Sequence, residues 1–562
     1  MSLFNNKSIK SFFKNTKDCI SKIEISSILF IFIISLYSTF ALNFSLWRFI
    51  LERIEIFESF NLFMFFISSL FLIFTLTFLI FNLITVPYIT KIIAILLLLI
   101  SSISNYCMYA YKVFIDIDMI RNVFETNKRE ALDLLNLKSF IWIFITGIIP
   151  SVTVFFIKIR YSPFFKEIKI RLLSVLSSIL ITGLFTVTFY KEYASFLRNN
   201  REVRKLVNTI NYSYSLFRYF QSQFQTKREF IKIDENAKFL AHKGKDKDNK
   251  TVFILVIGEA ARSASFSLYG YEKDTNPLLS KKDIVVFKNT TSCATSTAVS
   301  LPCIFSMKNK RDFNVTDEKY RENLVDLLHK TGYDVVWFEN DDGCKGVCSR
   351  IENYNMVGQN NKNYCFGDYC IDEVLLDGLE KRIKNIDKNT VIVLHTMGSH
   401  GPSYYKRYRK EFEKFKPVCE TTDIQSCDKE AIVNTYDNTI IYTDFILSSV
   451  IDILKKFPNL RTGMFYVSDH GESLGENHIY LHGVPYAVAP KEQKEIPMVL
   501  WLSDSMKKQD YIDYECLKNN GNNNLFSHDN VFHSIISLLR IKTTIYNKDL
   551  DIFRNCRTSS LE

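Results

Sequence analysis

The chain of 562 residues predicts an α/β protein in two parts: a five-helix transmembrane domain, then a doubly wound sheet domain carrying disulfides. Three observations predict it. Apolar residues crowd into five long runs in the first third. From Thr251 onward, buried-type strands alternate with helical stretches. Ten of the twelve cysteines follow Tyr190.

Crossing about 30 Å of hydrocarbon takes roughly 20 helical residues. Ile25–Ser45, Phe60–Ile84, Ile92–Tyr111, Phe140–Ile157 and Leu172–Tyr190 approach or exceed that length and are almost free of charge, which excludes a soluble helical bundle. Lys7, Lys10, Lys14, Lys17 and Lys22 precede the first run; Lys158, Arg160, Lys166, Lys169 and Arg171 separate the fourth from the fifth. Positive charge marks cytoplasmic loops, so five crossings place everything after Tyr190 on the far side. The basic opening is too long for a cleavable signal, and no small-x-small site follows it.

Cysteine spacing supports that compartment. Cys293/Cys303, Cys344/Cys348, Cys365/Cys370 and Cys419/Cys427 form close pairs, and Cys516 and Cys556 are left to pair across a longer loop. Paired cysteines outside the cytoplasm read as disulfides, whereas thiolate zinc sites bring knuckles of matching spacing. Abundant Lys, Asn, Ile and Phe suggest an AT-rich bacterial genome, and an outward-facing disulfide domain suits the inner membrane of a Gram-negative cell. The net charge of +10 favours anionic lipids. Neither a Gly-rich nucleotide loop nor an aromatic-basic patch is present, so no nucleic-acid partner is expected.

These features divide the chain into a transmembrane domain at 1–195, an amphipathic helix and linker at 196–250, and a catalytic domain at 251–562. Leu197, Val203, Val207, Ile210, Leu216 and Phe220 form the apolar stripe of a helix spanning Phe196–Phe224, suited to lying in the membrane interface. Thr251–Ile257 is a continuous β-branched run typical of a central parallel strand, and Asp334–Phe338, Val391–Leu394, Met464–Val467 and Pro497–Leu502 repeat it. In such sheets ligands sit at the carboxyl ends of strands.

Those ends carry the chemistry. Glu259 follows a buried strand and Gly258; a carboxylate there needs a partner, and a metal would supply one. Asp469-His470 offers adjacent oxygen and nitrogen donors after Met464–Val467. Between Cys293 and Cys303 lie Thr295, Ser296 and Thr297, any of which could be an alcohol nucleophile activated by bound metal. His400 and His482 sit in Gly-bearing loops, and Lys345 could meet a phosphate.

GEAARSASFSLYGY from Gly258, SCATSTAVSLPC from Ser292, LHTMGSHGPSYYKRY from Leu394, YDNTIIYTD from Tyr436 and SDHGESLGENHIYLHG from Ser468 resemble the membrane-bound phosphoethanolamine transferases. That family includes lipid A modifying and polymyxin-resistance enzymes of the alkaline phosphatase and sulfatase superfamily. The resemblance runs almost the whole length. It implies one zinc ion, or two, with the first on Glu259, Thr297, Asp469 and His470, and Thr297 as acceptor of phosphoethanolamine. It places His400, His482, Lys345 and Asn340 near the substrate phosphate or a second zinc. Asn122 and Glu130 match positions that meet the lipid head group. Ala294 stands where glycine is common, and His478 replaces a small residue.

The expected reaction moves phosphoethanolamine from phosphatidylethanolamine to lipid A or another surface acceptor through phospho-Thr297, in a monomer. Two other readings compete: a related enzyme such as a glycerol-phosphate transferase, and a non-enzymatic membrane receptor with structural metal.

Overall fold

The computed structural model describes residues 23–54, 57–125, 134–200, 202–224, 229–241, 249–357, 361–367 and 369–558. The chain divides into two compact units: Met1–Ile120 with Asn136–Tyr219, and Arg121–Leu135 with Phe220–Glu562.

The first unit is helical. Phe60–Ile84, Thr90–Ala110, Leu137–Phe156 and Phe164–Thr188 are each long and apolar enough to cross a membrane. The expected first span is instead a pair, Ser27–Phe40 and Phe44–Leu51, bent by 50°, so the count is four, or five with the pair taken as one. Asn43 sits at the break, where its Nδ2 donates to Ser38 O at 2.8 Å and its Oδ1 accepts from Asn208 N at 2.8 Å. Lys166, Lys169 and Arg171 lie on the last long helix, not in the loop before it. Glu167 makes that extension possible: it accepts from Arg171 Nε at 3.0 Å, Ser27 Oγ at 2.5 Å and Ser162 N at 3.0 Å.

The stretch Phe196–Phe224 also differs from expectation. It breaks into pieces ending in Asn208–Phe224, whose residues Asn208, Thr209, Tyr212, Ser215 and Tyr219 are buried. Hydroxyl and amide bonds hold it: Thr209 to Ser38 at 2.8 Å, Tyr212 to Ser101 at 3.0 Å, and Asn208 Nδ2 to Leu42 O and Ser101 O at 2.8 Å each. This helix packs on its neighbours because its polar groups find partners there, which lying in an interface would not supply.

The second unit is built on a seven-stranded sheet. In chain order its strands are β1 (Thr251–Gly258), β2 (Val285–Val286), β3 (Asp334–Glu339), β4 (Glu352–Asn355), β5 (Thr390–His395), β6 (Arg461–Ser468) and β7 (Met498–Leu502). Their order across the sheet is β2-β7-β6-β1-β5-β3-β4. From β6 to β4 all pairs are parallel, while β7 pairs antiparallel with both β6 and β2. Phe253, Leu255, Ile257, Val391, Val393, Phe465 and Val467 pack on one face with Leu301, Leu324, Leu328, Phe532 and Ile535. Val252, Ile254, Val256, Ile392 and Met464 are equally buried on the other, where the long helix Lys429–Lys455 lies against the sheet. Burial of both faces is why the strands read as unbroken apolar runs. All five disulfides form: Cys293–Cys303, Cys344–Cys348, Cys365–Cys370, Cys419–Cys427 and Cys516–Cys556.

Candidate active site

Four adjacent parallel strands end in a row of reactive side chains. β1 runs into Glu259, β3 into Asp341, β5 finishes on His395, and β6 runs into Asp469 and His470. Small residues let the turns close. A Cβ on Gly398 would lie 2.6 Å from the Glu259 carbonyl oxygen, and its φ of +50° favours glycine as well. The Glu259 backbone is further fixed by Ser399 N, which donates to its carbonyl at 2.9 Å.

Thr297 opens the helix Thr297–Ile304 after Ser296 in extended conformation. The short loop tied by Cys293–Cys303 holds that helix start. His528 joins the loop to the end of β6: Cys293 N donates to its Nδ1 at 3.0 Å, and its Nε2 donates to Ser468 O at 2.9 Å. Burial lowers its pKa to about 4, consistent with a neutral ring serving as one acceptor and one donor.

These elements bring the four expected metal ligands together. Thr297 Oγ1 donates to Glu259 Oε2 at 3.0 Å and lies 3.3 Å from His470 Nε2. His470 Nε2 is 3.3 Å from Asp469 Oδ2 and 3.5 Å from Glu259 Oε1. Each ligand is oriented by its other atoms. Asp469 Oδ1 accepts from His470 N at 2.7 Å and Ala260 N at 3.2 Å. His470 Nδ1 donates to Gly471 O at 2.9 Å, which leaves the Nε2 lone pair facing the cluster.

Glu259 Oε1 and Asp469 Oδ2 are buried with no hydrogen-bond partner, and both residues are fully buried. Such atoms are costly unless something positive meets them. Burial first, then the neighbouring Asp469, pushes the Glu259 carboxyl well above its usual range. Burial raises Asp469 to about 6 and holds the His470 imidazole well below its ordinary value. Two close carboxylates and a neutral imidazole, with an alcohol beside them, are an arrangement compatible with a metal site.

Around it lies a small cavity lined by Thr297, His400, His482, Lys345, Asn122, Glu125, Asp341 and Asp342. In this conformation it offers about 20 Å³, close to one water, so a substrate requires its walls to part. His482 Nδ1 donates to Glu472 Oε2 at 2.7 Å, and Glu472 Oε1 accepts from Tyr404 OH at 2.6 Å. This relay turns His482 Nε2 toward the cavity. His400, His482 and Glu259 can bring ligand atoms within 4.8 Å of one another. Lys345 Nζ donates to Asp342 O at 2.8 Å and Glu125 O at 3.3 Å.

Asn340 has a different place from the one expected. It is fully buried, and its Nδ2 donates to Asp372 Oδ1 at 2.8 Å and Cys370 O at 3.1 Å, so it braces the loop under the site. Glu130 lies outside the described residues. Asp341, His395, Glu472 and His528 were not singled out by sequence reasoning. The first three stand in or beside the motif segments, and their type was the only signal. His395 is fully buried; burial opposes its charge, but Glu339 at 2.9 Å and Asp341 outweigh it and raise the imidazole to about 9. A larger surface cavity of 580 Å³ has carboxylates that are already paired, Glu373 with Arg409 and Glu380 with Lys456.

The comparisons with known proteins agree with this geometry. The family model for sulfatases matches residues 251–541, and that described as phosphoethanolamine transferase EptA/EptB matches residues 73–224. Phosphoethanolamine transferase EptA of Salmonella typhimurium is 40% identical over 81% of this chain and 84% of its own. Phosphatidylethanolamine transferase Mcr-1 of Escherichia coli is 36% identical over 71% of this chain and 76% of its own. The solved structure of the integral membrane lipooligosaccharide phosphoethanolamine transferase A of Neisseria meningitidis superposes with a TM-score of 0.92 at 34% identity, covering 96% of this chain and all of that one. A multi-pass membrane unit, a sulfatase-like unit and this line of similarity lead to one conclusion: the chain belongs to the phosphoethanolamine transferases of the alkaline phosphatase and sulfatase superfamily.

Proposed function

We propose that this enzyme takes phosphoethanolamine from phosphatidylethanolamine and delivers it to lipid A or another lipopolysaccharide-type acceptor, through a covalent phospho-Thr297 intermediate. It works as a monomer in the inner membrane of a Gram-negative cell, with its catalytic unit in the periplasm. The observation that carries this reading is the Thr297 hydroxyl held 3.0 Å from Glu259 and 3.3 Å from His470, beside two buried carboxylate oxygens without partners. The names of the Mcr-1 and Neisseria relatives supply the donor and a lipooligosaccharide acceptor for those proteins, and both suit a chain that lives among lipids.

Zinc is the proposed metal, held by Glu259, Thr297, Asp469 and His470. These four residues offer oxygen and nitrogen donors of the kinds zinc takes, with separations of 3.0, 3.3, 3.3 and 3.5 Å between the atoms that face one another. When bound, zinc would lower the pKa of the Thr297 hydroxyl and neutralise charge on the phosphoryl group.

Thr297 Oγ attacks phosphorus, its proton having been directed at Glu259 Oε2. The Oγ–P bond forms as the bond to the diacylglycerol oxygen breaks. His482, held through Nδ1 by Glu472, gives that oxygen a proton from Nε2 as the imidazolium and is left neutral, while His400 and Lys345 face the phosphoryl oxygens. Backbone N–H groups at the helix start add to this. An acceptor oxygen, its proton passing to His482 Nε2, then attacks the phosphorus of phospho-Thr297; the P–Oγ bond breaks and Thr297 takes back the proton held at Glu259. Asn122 lines the same cavity and is placed to meet the head group. In the alternative arrangement with two zinc ions, His400 and His482 would hold the second one in place of contacting the phosphate.

Intact-mass measurement after exposure to phosphatidylethanolamine tests the reading. The wild type should carry one phosphoethanolamine, and Thr297→Ala none, with transfer falling at least ~10⁴-fold. An adduct on the variant would assign the nucleophile elsewhere. Mass spectrometry of lipid A from cells with and without the active protein would identify the acceptor.

A further inference from the structure

The cavity holding Thr297 is not uniformly suited to an anion. Beside the basic Lys345 and the two histidines it exposes Asp341 and Glu125. Asp341 is 6% exposed, and no hydrogen bond reaches its carboxylate among the described residues. Its one ion pair is with His395 Nε2, at 3.8 Å. Glu125 spends Oε1 on Lys319 Nζ at 2.6 Å, whereas its Oε2 is buried and has no partner. Both residues belong to the catalytic unit, Glu125 through the segment Arg121–Leu135 that clusters with it. Carboxylates so enclosed are destabilising unless a cation meets them.

We propose that Asp341 and Glu125 form the subsite for the ammonium end of the transferred group and so set the head-group specificity. The inference rests on the reaction proposed above and adds residues to it. Phosphoethanolamine is a zwitterion, with a phosphate and an ammonium separated by two carbons. The cavity is lined by both kinds of group: metal ligands, histidines and Lys345 to meet the phosphate, and Asp341, which has an oxygen within 4.8 Å of a Glu259 oxygen, with Glu125 to meet the ammonium. A phosphoglycerol head of similar size brings hydroxyls and no charge, and would add no cation to the carboxylates beyond His395 beside Asp341 and Lys319 beside Glu125. Sites built around a polar partner reject analogues lacking it more strongly than apolar pockets discriminate by size.

The test uses the full-length protein in detergent micelles, offered phosphatidylethanolamine or phosphatidylglycerol, with adduct formation followed by intact mass and bound zinc counted per chain. The wild type should favour the ethanolamine lipid by roughly 100-fold. Asp341→Asn and Glu125→Gln should each reduce that ratio by about tenfold or more, through a raised KM for the ethanolamine lipid. Glu125→Gln gives the same readout if Asp341→Asn does not fold. A ratio unchanged while both donors slow together would overturn the proposal, as would loss of zinc from Asp341→Asn, which would make Asp341 a metal group. Absence of any adduct on the wild type would remove the underlying reaction as well.

Discussion

The two units bury polar groups in opposite ways. In the membrane unit the interior polarity is mostly hydroxyl and amide, and much of it pairs internally, as Ser38 with Thr209, Ser102 with Thr146, and Asn208 with two backbone carbonyls and Ser104. Ser35 Oγ, Ser151 Oγ and Trp142 Nε1 are among the atoms left over, and these are neutral and scattered. In the catalytic unit the strand ends bury carboxylates and imidazoles whose inward atoms, Glu259 Oε1, Asp469 Oδ2 and His395 Nε2, have no hydrogen-bond partner. Neutral groups that satisfy one another hold helices together where water is absent. Charged groups left open need a ligand to complete them. Burial alone therefore does not mark function; unsatisfied, convergent charge does.

Removing metal should expose this difference most strongly. Chelation of the holoenzyme should abolish transfer and lower the stability of the catalytic unit by about 3–4 kcal/mol at a free metal level 100- to 1,000-fold above its Kd. The membrane unit should keep its stability. Equal loss in both units, read by site-specific hydrogen exchange, would break the contrast.

A smaller effect is expected at the Thr297 loop. Replacing Cys293 and Cys303 by serine removes a link across 10 residues, which in the chain-entropy model contributes about 3 kcal/mol. Because that loop positions Thr297, the proposed nucleophile, the rate of adduct formation should fall further than global unfolding explains. A rate that tracks the unfolded fraction alone would show the disulfide to be a staple and nothing more.

In the membrane unit, Asn208→Leu should lower resistance to unfolding in detergent by about 1–2 kcal/mol, since interhelical hydrogen bonds there are individually modest. No change would mean that its bonds at 2.8 Å merely replace others available in the unfolded chain.

The smallest effect is a pH dependence at Asp234. Hydrogen bonds from Thr543 Oγ1 and Thr544 N lower its pKa from 3.8 to about 2. A depressed carboxyl pKa stabilises the fold above the unfolded value, and that contribution is lost as pH falls through the folded one. The thermal midpoint of the wild type should exceed that of Asp234→Asn at pH 6, with the gap narrowing toward pH 2.5. A constant gap would assign the effect to shape and not to charge.

How much was legible depended on how local the physics was. Helix Phe60–Ile84 was readable to the residue because an apolar run bounded by polar ends admits one solution. The start of helix Phe164–Thr188 was not, since Arg171 and Glu167 look like loop charges until Ser27, Thr85 and Ser162 are seen to partner them. The same holds within the site. Asp469-His470 declares itself at the end of a buried strand. Asn340 also ends one, and only the positions of Asp372 and Cys370 show that its amide braces a loop. His528 gave no signal at all, because both its partners lie far away in the chain.

By itself the sequence determined the membrane character, the disulfide-forming use of the cysteines, the parallel sheet and the residue types that must gather at its edge, since periodicity, spacing and apolar length act over a few residues. The connectivity of the disulfides came from the fold. Only the tertiary structure decided which of Thr295, Ser296 and Thr297 faces the carboxylates: Thr295 is spent on Val484 O at 2.6 Å, and Thr297 donates to Glu259. Only it could reveal that two more carboxylates share that cavity. A side chain's chemistry is written in the chain, but whether its last lone pair is already taken depends on neighbours that folding brings from hundreds of residues away.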